Sequence, residues 1–334
     1  KLQISVGGQS VLLLSGETAQ ISGSDANQLT ISIPDYAVPG ETGLTFTDVK
    51  MTTPLFNVFE GTSSNASRDI TLSGELRDGR LTLNLTPTYK SDIIGVWNLN
   101  LETDDFGTAT LTPISIETEQ DISGSQFIVQ ILGALLKGSM AVVNIDFQAD
   151  GNLTATYNSN LLNDMMPALS GEQISPVFVH SPLNAIKWYV KDGALYLVPN
   201  LNLMLKNDPS KAQLGPLDPG TITTVGIPLY FKKEGDKMTV YVSKEQTAPV
   251  FGLLSTVISM IDPSFELSLG GSSLPLRSLL EALVKPLIDA ALAAERFDLC
   301  LNLVAGAIPE EAPQPSEEAS AAAVKRLEAF IAQQ

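Results

Sequence analysis

The sequence predicts a mainly β protein with inserted helices, built from antiparallel sheets or barrel units. Three observations carry this expectation. Strand–turn–strand patterns recur around acidic-residue–Gly pairs at Asp78-Gly79, Asp150-Gly151, Asp192-Gly193 and Glu234-Gly235. Such pairs suit tight hairpins, which need positive φ at the turn. Thr and Ser fill the polar positions of the early strands, as a half-solvated antiparallel sheet prefers. Long apolar stripes at helical spacing occur only in the second part of the chain, so the helices are expected as insertions there.

Residues 1–90 read as an N-terminal β domain of short strands and turns. Gln28–Ile33 alternates polar and apolar residues, and Ile70–Leu76 with Leu81–Thr86 forms a hairpin around Arg77-Asp78-Gly79-Arg80. No helical period occurs in this part. Pro87 to Asp92 reads as the boundary. Residues 91–304 read as a second β domain. It opens with the strand Ile94–Leu101, turns at Asp104–Gly107 and continues at Thr108–Thr112. It then carries the hairpins Ile145–Tyr157, Lys187–Leu197 and Gly226–Val242, and it closes on the alternating strand Phe297–Leu303. Three or four apolar helices interrupt it. Ser125–Lys137, Ala248–Asp262 and Leu276–Ala294 have apolar faces broad enough to be buried, and Leu161–Ser175 offers a shorter one. Pro263 should stop the second, and Pro286 should bend the third. Residues 305–334 read as a proline-bearing linker and a last helix capped by Ser316, with Glu317 and Glu318 at its positive end.

Composition narrows the chemistry. The chain has 334 residues, 44% hydrophobic and 17% charged, with a net charge of −17 from 20 basic and 37 acidic side chains. Such a surface repels nucleic-acid phosphates and anionic membranes. A single cysteine, Cys300, precludes an intrachain disulfide, and a single histidine, His180, argues against metal sites built on several His or Cys ligands. No stretch reaches the roughly 18 uninterrupted apolar residues that a spanning helix needs. The chain begins at Lys1 and runs at once into strand-like sequence, which is expected of a chain whose leader has been removed.

Each candidate for chemistry has a plainer reading. His180 lacks a serine in a Gly-x-Ser-x-Gly turn and reads as an ordinary strand or turn histidine. Asp146-x-Gln148-x-Asp150-Gly151 imitates the start of a calcium loop, but Tyr157 stands where the bidentate Glu belongs, so it reads as a hairpin turn. The acids Glu102, Asp104, Asp105, Glu117, Glu119 and Asp121 cluster near expected turns and read as solvated rims, although a glycosidase would need two such groups. Cys300 sits between Asp298 and Asn302 on the polar side of its strand. It reads as inert, since a reactive thiol wants positive neighbours. No catalytic residue, metal site or cofactor is assigned.

Ile94-Gly95-Val96-Trp97 resembles the Gly-x-Trp opening strand of lipocalin-like (calycin-like) barrels. Its sequel, Ile145-Asp146-Phe147 with Asp150-Gly151-Asn152 and then Trp188 to Leu197, is similar to small lipocalin-like domains of secreted Bacteroidetes lipoproteins. The Thr/Ser/Leu-rich hairpins before residue 90 resemble the companion calycin-like domain of the same group. The resemblance covers about residues 1–245. It implies export to the bacterial cell envelope, with a lipidated cysteine upstream of Lys1, and it brings no catalytic residues.

The expected function is a non-enzymatic binding module for an apolar small molecule or a glycan-like ligand. No nucleic-acid partner is expected, and membrane contact is expected only through the lipid anchor. A carboxylate-based hydrolase and a structural or adhesion module are the alternatives. The candidate ligand site is a barrel mouth bordered by Trp188, Tyr189 and Tyr196 around the Asp192-Gly193 turn. Strand alternation turns Trp188 and Val190 one way and Tyr189 the other. Trp97 is the expected structural anchor near the closed end.

Overall fold

The strands follow from alternation and from turn chemistry. In the computed structural model, Asp78 and Gly79 both have positive φ, as do Asp192 and Gly193, which is the geometry that matches a two-residue turn to strand twist. The turns at 151 and 235 take positive φ only at the glycine. All four turns join antiparallel neighbours. The structure describes residues 2–11, 17–53, 57–100, 113–118, 141–161, 174–200, 219–244, 266–269, 272–275 and 293–308, with a few single positions between them.

The first sheet comprises β1 (Leu2–Val6), β2 (Gln9–Ser10), β3 (Gln20–Ser22), β4 (Leu29–Ser32), β5 (Thr45–Thr53), β6 (Val58–Ser64), β7 (Arg68–Arg77) and β8 (Arg80–Tyr89). Their order across the sheet is β2-β1-β8-β7-β6-β5-β4-β3. The sheet curls so that Ile4 and Val6 of β1 share one core with Ile31 of β4, Phe46, Phe59, Leu72 and Leu83. One pair departs from the antiparallel expectation: β1 lies parallel to β8, with Leu2 opposite Leu81 and Val6 opposite Leu85. Strand β8 runs on through Pro87 and ends at Tyr89, inside the stretch Pro87 to Asp92. The proline is tolerated because β1 has ended by Leu85, so no neighbour on that edge needs its missing N–H.

The second sheet closes on itself. It uses β9 (Gly95–Leu99), β11 (Val142–Phe147), β12 (Asn152–Asn158), β14 (Ile186–Lys191), β15 (Ala194–Pro199), β16 (Ile227–Glu234), β17 (Lys237–Val242) and β20 (Phe297–Ala305). Each pairs antiparallel with the next, and β20 returns to β9 through Leu303 opposite Leu99. The result is an 8-stranded antiparallel barrel. Beside it, β10 (Ile114–Thr118) takes the first half of β20, and β13 (Phe178–His180) takes the far end of β12. A separate hairpin joins β18 (Glu266–Leu269) to β19 (Ser272–Pro275), and the short helix α1 (Pro219–Thr224) precedes β16.

An 8-stranded barrel is wide enough for side chains to fill or for one small ligand. Trp97, Leu99, Phe147, Trp188, Leu195, Met238, Val240 and Leu303 are buried in it, and Ile145, Leu153, Val190, Leu197, Leu229, Phe231 and Leu301 line it half-buried. Trp188 is 0% exposed, and its indole N–H donates to the carbonyls of Gln148 and Asn152. Trp97 is buried as expected of an anchor, and its Nε1 donates to the carbonyl of Ile93.

The expected helices Ser125–Lys137 and Ala248–Asp262, the last helix from Ser316 and the strand Thr108–Thr112 lie outside the described residues, apart from Gly133, which is helical. Leu161 and Asp164 are helical. Within Leu276–Ala294, Arg277, Ser278, Glu281, Ala282 and Ala293 are helical, and Arg277 pairs with Glu281 one turn on.

Trp188→Ala should cost about 3–5 kcal/mol of folding stability, as aromatic truncation in a packed core does. Leu183→Ala, at a position 59% exposed, should stay within about 0.5 kcal/mol of the parent. Urea denaturation of the two variants checks both.

Candidate functional site

The three aromatics expected at a barrel mouth are divided by the barrel wall. Trp188 points inward, packed edge-on against Phe147 at 5.4 Å. Tyr189 and Tyr196 are register partners on the outer face, stacked with ring centroids 4.8 Å apart. Tyr189 is 4% exposed and donates its hydroxyl to the carbonyl of Val225 at 2.6 Å. Its cover comes from the first sheet. A Cβ on Gly40 would lie 2.4 Å from the Tyr189 ring, so only glycine fits there. The converse contact involves Tyr89, the last residue of β8. Its ring packs 5.6 Å from that of Trp188, over Gly151, where a Cβ would meet it at 2.6 Å. The Tyr89 N–H donates across to the carbonyl of Ala149. These aromatics therefore join the two sheets.

A charged clamp stands behind Tyr89. Its register partner Arg68 is buried and binds Glu41 in a two-pronged ion pair, both N–H···O distances being 2.7 Å, while Nη1 donates to the Ser63 carbonyl and hydroxyl. Beside the joint, Lys187 lies opposite Asn152 and next to the Gly7 turn. Its Nζ is buried with no hydrogen-bond partner among the described residues, as is the Oδ1 of Asn184. Burial lowers the Lys187 ammonium below the ordinary lysine range, against the opposing pull of Asp150.

The open face of the first sheet is polar. A groove of about 710 Å³ crosses β5, β6, β7 and β8 there. It forms because alternation sends the apolar residues of these strands into the curl and the Thr, Ser, Asn, Lys and Glu side chains out. Register aligns them in rows across the strands. Lys50, Glu60, Ser73 and Asn84 are successive partners, and Thr62, Thr71 and Thr86 make a second row. A bulge in β5 adds to the charged end. Asp48 has φ of 56° and the register shifts beside it, so Thr47 and Asp48 are both exposed between buried Phe46 and Val49. A bulge of this kind re-aims side chains at a sheet face. Asp48, Lys50 and Glu60 have no ion-pair partner among the described residues. Asn84 accepts a hydrogen bond from Ser5 through Oδ1. The groove residues were not singled out by sequence. Their signal was the run of alternating Thr and Ser, which reads equally well as an ordinary solvated face.

The remaining candidates sit in structural settings. His180 Nδ1 shares a hydrogen bond with Thr156 Oγ1 across the β12–β13 pair. Asp146 accepts from Gln148, and Asp150 accepts from the backbone and side chain of Asn152, which ties the turn at 148–152 together. Glu117 pairs with Lys232 and Arg296 on the barrel's outer face, while Glu102, Asp104, Asp105, Glu119 and Asp121 lie outside the described residues. Cys300 is buried. Burial first, then the charges of Glu117 and Asp298, push its thiol up to about 12, so it holds almost no thiolate near neutral pH.

Comparison with protein-family models, with curated proteins and with solved structures finds no match to this chain.

Lys187 and the joint tyrosines should shape the pH profile of stability. The folded chain holds Lys187 less basic than the unfolded chain does. Between the two pKa values the unfolded state binds more protons, so stability rises with pH across that window. Tyr89 and Tyr189 act in the opposite sense. Burial raises both phenols, so stability falls once pH exceeds the ordinary tyrosine value near 10. Lys187→Met should flatten the rising limb, raise stability at neutral pH and leave the alkaline fall in place, as followed by urea titrations at a series of pH values.

Proposed function

We propose that this protein is a non-enzymatic binding module for a polar, glycan-like ligand, held at the bacterial cell envelope by a lipid anchor upstream of Lys1. The observation that carries the ligand class is the 710 Å³ groove with its two rows of hydroxyl, amide and charged side chains. A hydroxyl both donates and accepts, so rows of Thr and Ser match a ligand that is itself rich in hydroxyls. The groove lining is polar and holds no aromatic side chain, which directs the reading to a glycan-like ligand on the sheet face. The envelope placement rests on the resemblance of the Ile94–Trp97 strand and the hairpins that follow it.

The hydrolase reading has one observation in its favour: Asp48 and Glu60 line the same groove, and glycoside hydrolysis uses two carboxylates astride one bond. The two readings differ in what happens to a bound saccharide. A binding module returns it intact, whereas a hydrolase gives shorter products, and Glu60→Gln would stop their appearance.

A saccharide that binds the native state should raise the thermal midpoint. The double variant Thr71→Val, Thr86→Val keeps shape and strand preference but removes two groove hydroxyls. It should weaken saccharide binding roughly tenfold, as losing one or two net hydrogen bonds implies, while changing intrinsic stability by no more than about 0.5 kcal/mol. Thermal shift and isothermal titration with a panel of oligosaccharides check this. Equal binding by parent and variant would remove the groove from the account.

A further inference from the structure

We infer that the groove takes a linear, uncharged, hydroxyl-rich chain laid across strands β5 to β8, at right angles to the strands. This rests on the binding reading of the groove and narrows its ligand. The first row, Lys50, Glu60, Ser73 and Asn84, places one polar side chain on each of the four strands, directly opposite the next. Neighbouring strands lie about 4.7–4.9 Å apart, so this row offers a polar group at that repeat over roughly 14 Å. The second row, Thr62, Thr71 and Thr86, lies two residues along each strand, about 7 Å away. The rows act as two rails. A chain lying between them meets a donor or acceptor on both sides at β6, β7 and β8, and on one side at β5. A compact or single-unit ligand reaches only one or two of these groups.

Charge narrows the chain further. The charged end of the groove carries Asp48 and Glu60 against one cation, Lys50, and the whole chain bears a net charge of −17. A polyanionic chain is repelled both locally and at long range. The groove lining contains no aromatic side chain, so binding relies on hydrogen bonds accumulated along the chain. That accumulation makes length the variable that matters.

The test is isothermal titration of the full chain with β-1,4-linked gluco-, manno- and xylo-oligosaccharides from the monosaccharide to the hexasaccharide, with oligouronates of matching length alongside. For a neutral series, affinity should rise at least tenfold from the monosaccharide to the length that spans the rails, and then level off. Asn84→Ala, at the far end of the first row, should weaken the longer chains several-fold and flatten the rise of affinity with length. Affinity independent of length, or oligouronates binding as tightly as neutral chains, would overturn the linear-chain inference while leaving the binding reading intact. Absence of binding by every saccharide, neutral or charged, would sink the binding reading and this inference with it.

Discussion

Two tyrosines and two glycines hold the structure together. Tyr89 leaves the first sheet and lies over Gly151 of the barrel, and Tyr189 leaves the barrel and lies under Gly40 of the first sheet. Each ring occupies space that any Cβ would fill. Both glycines also have positive φ, so the same residues shape the turns and admit the rings. The exchange is anchored from below by Trp188, which fills the barrel interior and touches Tyr89. From the first sheet it is anchored by Arg68 and Glu41, whose paired hydrogen bonds offset the burial of charge next to Tyr89.

This joint takes the aromatic residues that a ligand site would otherwise use. Trp188, Tyr189 and Tyr89 are buried against protein. What is left for an extended polar partner is the outer face of the first sheet. There, antiparallel pairing sets the rows and the β5 bulge swings Asp48 out beside Thr47. The groove is thus a product of curvature and register, carried on strands whose other face is locked into a core by Phe46, Phe59, Leu72 and Leu83. A rigid backing of this kind holds side chains in place before a ligand arrives, which lowers the ordering cost of binding.

Most of the strand plan was legible in the sequence. Hairpins at Asp78-Gly79 and Asp192-Gly193 follow from residues able to take positive φ, and strand alternation separated Trp188 from its neighbour Tyr189 correctly. The parallel pairing of β1 with β8 was not legible, because it joins segments about eighty residues apart and no turn dictates its direction. The surroundings of Tyr189 were not legible for a related reason. Sequence assigns a residue to one face of its strand, but it does not say what covers that face, and the cover comes from Gly40, far away in the chain.

The amino-acid sequence by itself determined the mainly β class and the four turn-centred hairpins, since these depend on local φ preference and alternation. Tertiary structure alone decided the closure of β20 onto β9, the interlocking of Tyr89 with Gly151 and Tyr189 with Gly40, and the alignment of Lys50, Glu60, Ser73 and Asn84 into one row. Each of these depends on which distant strands become neighbours and in what register. A shift of one residue in that register would turn the Thr and Ser rows inward and remove the groove.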